Sequence, residues 1–339
     1  MHASINHQYI DRNTSSVVTE SLVADEMVQQ IYSTIREDYP KLFRALVSPQ
    51  FSKFLGFINY DLYIGAKSVG VRKMIHNLRI DMSECIEPPE FFNTTRKIFE
   101  RKINYPVFRP MQTEKGVVAA PADSRILIGS FRTQSALFIK EKFFSYAELI
   151  GTGKPAWRDD FRNGDFAIFR LTPDKYHYNH LPVSGEVVDF YEIRGLCHSC
   201  NPGAVIREAT PFSKNTRVVT VIDTDKRGGD GIGLVCMIEV TALMIGEVKQ
   251  CYSTHWYDDP VSVETGLFVE KGQPKSRYLP GSSVTILIFQ ENRIQFSEDL
   301  LNNLGRQDAT SRFSKFLGHP LVETDVQVRS AIARKTYIN

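Results

Sequence analysis

Apolar residues recur near helical spacing from Val23 to Leu46, at Val23, Met27, Ile31, Ile35, Leu42 and Leu46, which predicts helix. The stretch that follows, Phe51 to Ile80, sets Phe51, Phe54, Leu55, Phe57, Ile58 and Leu62 among the basic Lys53, Lys67, Arg72 and Lys73. Such a pattern suits an amphipathic helix lying on a membrane surface. It suits a helix packed on a core equally well, because a helical moment does not say what the apolar face meets. From Pro106 the texture changes. GVVAAPAD, FAIFRLTP, GEVVDFYEI, RVVTVIDTD, GIGLVCMIEV, SVTILIF and RIQF read as short strands punctuated by Gly, Pro, Asn and Asp. The pattern therefore predicts an α+β fold. A polar, disordered tail covers residues 1–20, a helical and possible membrane-associating region 21–105, and a β-rich domain 106–339. Within that domain, residues 301–339 return to mixed polarity and read as an appendage.

Composition narrows the classes. With 339 residues, 42% apolar and 24% charged, the chain has the make-up of a globular protein with a sizeable core. A net charge of +2 is compatible with an anionic membrane surface and far too weak to argue for nucleic acid. The longest apolar stretch, Ile232 to Val248, is interrupted by Glu239 and Glu247 and is shorter than the ~20 residues a spanning helix needs. The first residues lack the apolar core of a secretory signal, and five cysteines, an odd number, do not make a disulfide framework. The expected setting is a reducing one, cytoplasmic and at most peripheral to a membrane.

Three segments carry candidate chemistry. In LPGSSVTILIF, the pair Gly281-Ser282 stands directly before an apolar strand. The small residues let the backbone bend and open the Gly281 carbonyl to the Ser282 hydroxyl, although a Gly-Ser pair also serves as an ordinary turn. In FRLTPDKYHYNHLPVSGEV, His177 and His180 sit three residues apart after a strand, in what reads as a loop. They read as an acid–base pair, as two metal ligands, or as unrelated polar residues; with no Glu or Cys cluster nearby to complete a ligand set, no metal is expected. In VVAAPADSRI, Asp123 falls at a strand end, where a carboxylate can orient a histidine or merely form a turn. Two further motifs are set aside. Cys197-His198-Ser199-Cys200 is a C-x-x-C without a second pair, and KRGGDGIG, Lys226 to Gly233, lacks the Lys-Ser/Thr of a phosphate loop and reads as a hairpin.

The order and context of these segments resemble the phosphatidylserine decarboxylase family over about residues 50–300. APAD resembles its Pro-x-Asp-Gly motif. DKYHYNHLPVSGEV resembles its Asp-x-Tyr-His-x-x-His-x-Pro-x-x-Gly block, and KGQPKSRYLPGSSV its Lys-Gly … Leu-Gly-Ser-Thr segment. IDMSECIEPPEFFNTTRKIFERKINYPVFRPM, residues 80–111, resembles the stretch leading into its first catalytic strand. Ser124 stands where the family usually has Gly, and Pro280-Gly281-Ser282-Ser283 replaces Leu-Gly-Ser-Thr. The resemblance implies a proenzyme that cuts itself between Gly281 and Ser282 into chains 1–281 and 282–339. Asp123 orients His180, His180 takes the proton of Ser282, and residue 282 becomes a covalent pyruvoyl group. That ketone takes up the amine of a phospholipid substrate and acts as electron sink while CO2 leaves, with His177 as the acid that protonates the product carbon. The implied partners are the phospholipid, an anionic membrane surface and the chain's own cleaved fragment 282–339. Two other functions remain open on the sequence: a soluble pyruvoyl-dependent amino-acid decarboxylase of the same family, and a β-rich binding module without activity.

Overall fold

The run Ser283–Phe289 is buried at every residue, which a strand achieves only with packed layers on both of its faces. The structure, a computed structural model, describes residues 6–60, 67–132, 142–243, 247–281 and 283–336; the side chains of 55–60 and 67–69 lie outside that description. Its strands, in chain order, are β1 (Gln8–Asp11), β2 (Val17–Thr19), β3 (Val117–Ala119), β4 (Ser124–Ser130), β5 (Asp165–Leu171), β6 (Tyr178–His180), β7 (Gly185–Ile193) and β8 (Arg217–Asp223). They continue as β9 (Leu234–Val240), β10 (Val248–Gln250), β11 (Phe268–Val269), β12 (Pro274–Tyr278), β13 (Ser283–Phe289), β14 (Ile294–Phe296), β15 (Glu323–Val326) and β16 (Ala331–Lys335).

Ten of them form one sheet in the order β11-β7-β8-β9-β13-β5-β4-β15-β1-β2, and two smaller sheets run β10-β12-β6 and β14-β16-β3. Strand β13 is central, antiparallel to β5 with Ser283 opposite Leu171 and Phe289 opposite Asp165, and antiparallel to β9 with Thr285 opposite Glu239. Alternate side chains divide between two cores, as the two-residue period requires. Ile286 and Ile288 join Phe166, Ile168, Val219 and Ile238 on one face. Leu287 and Phe289 join Ala167, Phe169, Ile222 and Met237 on the other. The fold is α+β and rich in strand, and Lys226–Gly233 joins the antiparallel β8 and β9 as a hairpin loop.

Two expectations are corrected. The segment expected to be a disordered tail carries β1 and β2; β1 runs parallel to β15 and antiparallel to β2. Ile10 is fully buried, and a buried charge cluster ties the segment down. Arg170 of β5 bonds Glu20 (Nη1–Oε1 2.9 Å) and Glu323 of β15 (Nε–Oε1 2.9 Å), while His7 Nε2 lies 2.7 Å from the second Glu323 oxygen. Burial would raise the Glu323 carboxyl, but the Arg170 charge and the His7 bond override it and hold the pKa far below the usual range. The atoms of His7, Glu20 and Glu323 lie close enough together to suggest a metal site. The guanidinium already bridges the two carboxylates, however, and supplies the positive charge an ion would bring. Residues 301–339 are likewise not an appendage, since β15 lies inside the main sheet between β4 and β1.

The helices lie mainly between Asp25 and Phe108. The helix predicted over 23–46 is broken at Tyr39 (φ −132°, ψ 60°), where the following Pro40 excludes helical geometry. Helices Pro49–Tyr60 and Lys67–Leu78 occupy the amphipathic stretch. In it Phe54 is exposed, Phe51 half-buried, and Lys53 lies 3.5 Å from Glu247. The side chains of Leu55, Phe57, Ile58, Leu62 and Lys67, on which the membrane reading also rests, lie outside the described residues. Among the described residues no helix is long and apolar enough to cross a membrane.

Candidate active site

Backbone pairing assembles the three sequence segments. Strand β6 carries His180 and pairs with β12, so His180 is on a short strand rather than in the loop expected. The His180 amide donates to the Pro121 carbonyl (2.7 Å), which brings the Pro-Ala-Asp turn to the histidine strand. The Tyr278 amide donates to the His177 carbonyl (3.0 Å), which brings the approach to Gly281 alongside. Ala122, Leu171 and Tyr278 pack together behind this junction. Gly281 adopts φ +148°, a conformation that side chains other than hydrogen rarely allow. Ser282 itself lies outside the described residues.

His177 is fully buried against Phe99, with ring centroids 3.7 Å apart. Its Nδ1 lies 2.8 Å from the Lys175 carbonyl, so the neutral ring keeps its proton there, and Nε2 has no hydrogen-bond partner among the described residues. Burial, reinforced by the Arg101 charge, lowers its pKa to about 3, against the pull of the Lys175 and Gly281 backbones. A backbone group that favours a protonated ring is an acceptor, so the Gly281 group facing His177 is its carbonyl. The ring thus stands between two carbonyls with one proton to give. A negative charge growing on the Gly281 oxygen favours the tautomer that carries this proton on Nε2. Ser283 Oγ, one residue beyond position 282, is also buried without a partner among the described residues.

His180 is held differently. Nδ1 lies 2.8 Å from the Gly272 carbonyl and Nε2 3.0 Å from the Tyr176 hydroxyl, which in turn meets the Tyr257 hydroxyl at 2.7 Å. Tyr105 packs edge-on against the ring at 4.8 Å. Donation from Nδ1 to Gly272 leaves Nε2 with the lone pair, the form a base needs. Burial lowers its pKa to about 3 as well; the Asp123 carboxylate is among the groups that pull it back up.

Asp123 does not hydrogen-bond His180 among the described residues. It accepts from Arg109 (Nε–Oδ1 3.0 Å, Nη2–Oδ2 2.8 Å) and from the Val328 amide (2.7 Å). Arg109 turns its other edge to Glu84, at 2.9 and 2.8 Å. Burial would raise the Asp123 carboxyl, but the Arg109 charge and bonds override it and keep the pKa below the usual carboxylate value. Its influence on His180 therefore passes through space and not through the expected orienting bond. Sequence reasoning missed Arg109 and Arg101, which act through partners distant along the chain and which no local pattern marks; it also gave no role to Tyr176, although that residue stands in the Asp-x-Tyr-His block, four positions before His180. Cys197 and Cys200 are buried, and burial pushes Cys200 up to about 12, which makes it a poor nucleophile.

The family model described as phosphatidylserine decarboxylase matches residues 95–311. The chain is similar to the phosphatidylserine decarboxylase proenzyme of Fusobacterium nucleatum, 27% identical over 304 residues that span 87% of this chain and 91% of that protein. It is similar to the proenzyme of Clostridium tetani, 26% identical over 303 residues, 88% and 93% of the two chains. Proenzyme 2 of Oryza sativa is 33% identical over 232 residues, 67% of this chain and 34% of that longer protein.

Proposed function

The chain belongs to the phosphatidylserine decarboxylase family, and on that premise we propose that it is a proenzyme that cuts itself at Gly281-Ser282 and then converts phosphatidylserine to phosphatidylethanolamine and CO2. The observation that carries this reading is a pair of buried polar atoms without partners among the described residues, His177 Nε2 beside the Gly281 backbone and Oγ on Ser283. Buried polar atoms are usually paired, and one left open at a candidate site calls for a partner such as a reacting group, an ion or a water.

In the proposed maturation the Ser282 hydroxyl loses its proton to His180 and attacks the Gly281 carbonyl, giving an ester. Asp123 favours the protonated His180 through its charge. His177 faces the carbonyl on which negative charge develops and, once its proton sits on Nε2, gives it a hydrogen bond. Elimination releases the Gly281 carboxylate, and hydrolysis with loss of ammonia leaves a pyruvoyl group at residue 282. The site fits that group. It is small, it would head a fully buried strand, and two polar atoms unpartnered among the described residues lie on Ser283 and beside Gly281. When present, the pyruvoyl supplies the electron sink for loss of CO2. His177 is then the acid nearest to position 282, and the tyrosines around His180 keep water out. Chains 1–281 and 282–339 are the expected products, working at an anionic membrane surface from the cytoplasmic side.

Intact-mass analysis tests this directly. The purified protein should resolve into two chains, with a pyruvoyl blocking the smaller one, and Ser282→Ala should stay full-length. His180→Ala should remain uncut, and Asp123→Asn should mature slowly. His177→Ala should be cut at least in part and turn over poorly, since a placed acid is worth roughly 10²–10⁴-fold. A single uncut chain with full activity on phosphatidylserine vesicles would overturn the reading. Normal maturation of His180→Ala would transfer the role of base to His177.

A further inference from the structure

Behind the histidine strand lies a polar network that no sequence motif announces. Glu239 of β9 is fully buried, and so are Lys275 and Ser276 of β12, Asn179 of β6, Thr285 of β13 and Tyr278. One Glu239 oxygen accepts from Lys275 Nζ at 2.5 Å and from Gln250 Nε2 at 3.3 Å. The other accepts from Asn179 Nδ2 at 3.1 Å and from the Ser276 hydroxyl. Asn179, which stands between His177 and His180 in the chain, accepts the Thr285 hydroxyl on its Oδ1 at 2.7 Å. The Tyr278 hydroxyl donates to the Val284 carbonyl at 2.8 Å and lies 3.0 Å from Thr285 Oγ1.

A fully buried Lys–Glu pair is a poor way to stabilise a core, because two desolvated charges seldom outdo well-packed apolar side chains. What such a pair supplies here is a single geometry, and its placement says for what. Lys275, Ser276 and Tyr278 lie just before the 281–282 bond. Thr285 and Val284 lie just after it, and Asn179 belongs to β6, between His177 and His180 in the chain. We propose that the chain of contacts Lys275–Glu239–Asn179–Thr285, with Tyr278, is a positioning device that keeps residue 282 in register with His177 and His180. This rests on the reading of 281–282 as the bond that is cut. Before the cut the backbone itself limits where residue 282 can go. Afterwards residue 282 is a free chain end, and the Tyr278–Val284 and Thr285–Asn179 bonds hold the head of β13 beside the histidines. The network is therefore more important to turnover than to maturation.

The test uses the full-length protein. Thr285→Val removes the hydroxyl and keeps the shape of the side chain, and Thr285→Ser restores the hydroxyl. Pyruvoyl content is measured by intact mass, and kcat and KM are measured on phosphatidylserine in mixed micelles. Thr285→Val should still be cut, yet its kcat per pyruvoyl should fall roughly tenfold or more, since a misplacement near 1 Å can cost about 10²-fold. Its KM should stay within about twofold of the parent's, and Thr285→Ser should recover most of the loss. A second variant, Glu239→Leu with Lys275→Met, replaces the ion pair with apolar side chains. Because the substitution at Glu239 also takes the acceptor from Asn179, Ser276 and Gln250, the variant's activity is read well below its own thermal midpoint, where it should show the same fall in kcat per pyruvoyl while folded. Parental kcat per pyruvoyl in whichever of the two variants folds overturns the proposal. A parent protein that carries no pyruvoyl overturns the proposal together with the reading it rests on.

Discussion

His177 and His180 are both buried neutral, and this gives acid a specific handle on the fold. Each ring titrates near pH 6.5 when the chain is unfolded and near 3 when it is folded. The unfolded state therefore binds more protons throughout that window. Stability is fully present above about pH 6.5 and is lost as pH falls toward 3, by up to about 1.4 kcal/mol per pH unit for each ring. The thermal midpoint should drop between pH 7 and 4.5, and His177→Gln should flatten the drop. An unchanged slope in the variant would mean that the ring is not buried neutral. Arg109 makes a second prediction at this scale. It is clamped between Asp123 and Glu84 with little exposure of its own. Arg109→Met should cost about 3–5 kcal/mol, because breaking a buried pair leaves a carboxylate uncompensated; chemical denaturation would measure it. Asp123, His177, His180 and the Gly281 turn were legible in the sequence because each sits in a short local motif. Arg109 was not, because in FRPM it looks like any surface arginine, and its role comes from Glu84 and Asp123, which lie 25 and 14 positions away.

The same contrast between local and distant causes governs the elements. SVTILIF, FAIFRLTP and RVVTVIDTD announce themselves as strands because burial on both faces demands a continuous apolar run. Strand β15, whose sequence is ETDV, does not, although it lies inside the main sheet. Its buried Glu323 is satisfied by Arg170 and His7, so a pattern that reads charge as solvent exposure fails there. Strand β1 fails for the same reason: of QYID only Ile10 is buried. The expected disordered tail thus becomes a structural element, and deletion of residues 1–20 tests it. The truncated chain should lose several degrees in thermal midpoint, because it uncovers β15 and strips Arg170 of Glu20; a midpoint equal to the parent's would mean that β1 does not dock. In the amphipathic stretch, Phe54 is exposed. Phe54→Ser with Phe57→Ser should weaken binding to anionic liposomes while leaving self-cleavage intact. Failure to mature would assign these residues to the core instead.

Across the whole molecule, the segments on either side of the 281–282 bond are threaded through one another. β13 lies between β9 and β5, β15 between β4 and β1, and β16 beside β3, so every one of these ladders joins residues 283–336 to the part of the chain before Ser282. Native mass spectrometry of matured protein should show one particle holding both chains in equal number, which separates only in denaturant; a small chain released under native conditions would contradict the sheet order. The threading also bears on how such a catalyst ages. An enzyme with a diffusible cofactor is renewed by exchange, a spent molecule for a fresh one. Here a fresh end at residue 282 could arrive only by unzipping β13 from neighbours on both sides, which amounts to unfolding the core. On the proposed maturation, a molecule whose pyruvoyl is destroyed by a side reaction is retired for good. The working stock then counts how many chains have been made and matured, less those already worn out, and supply can be raised only by new synthesis.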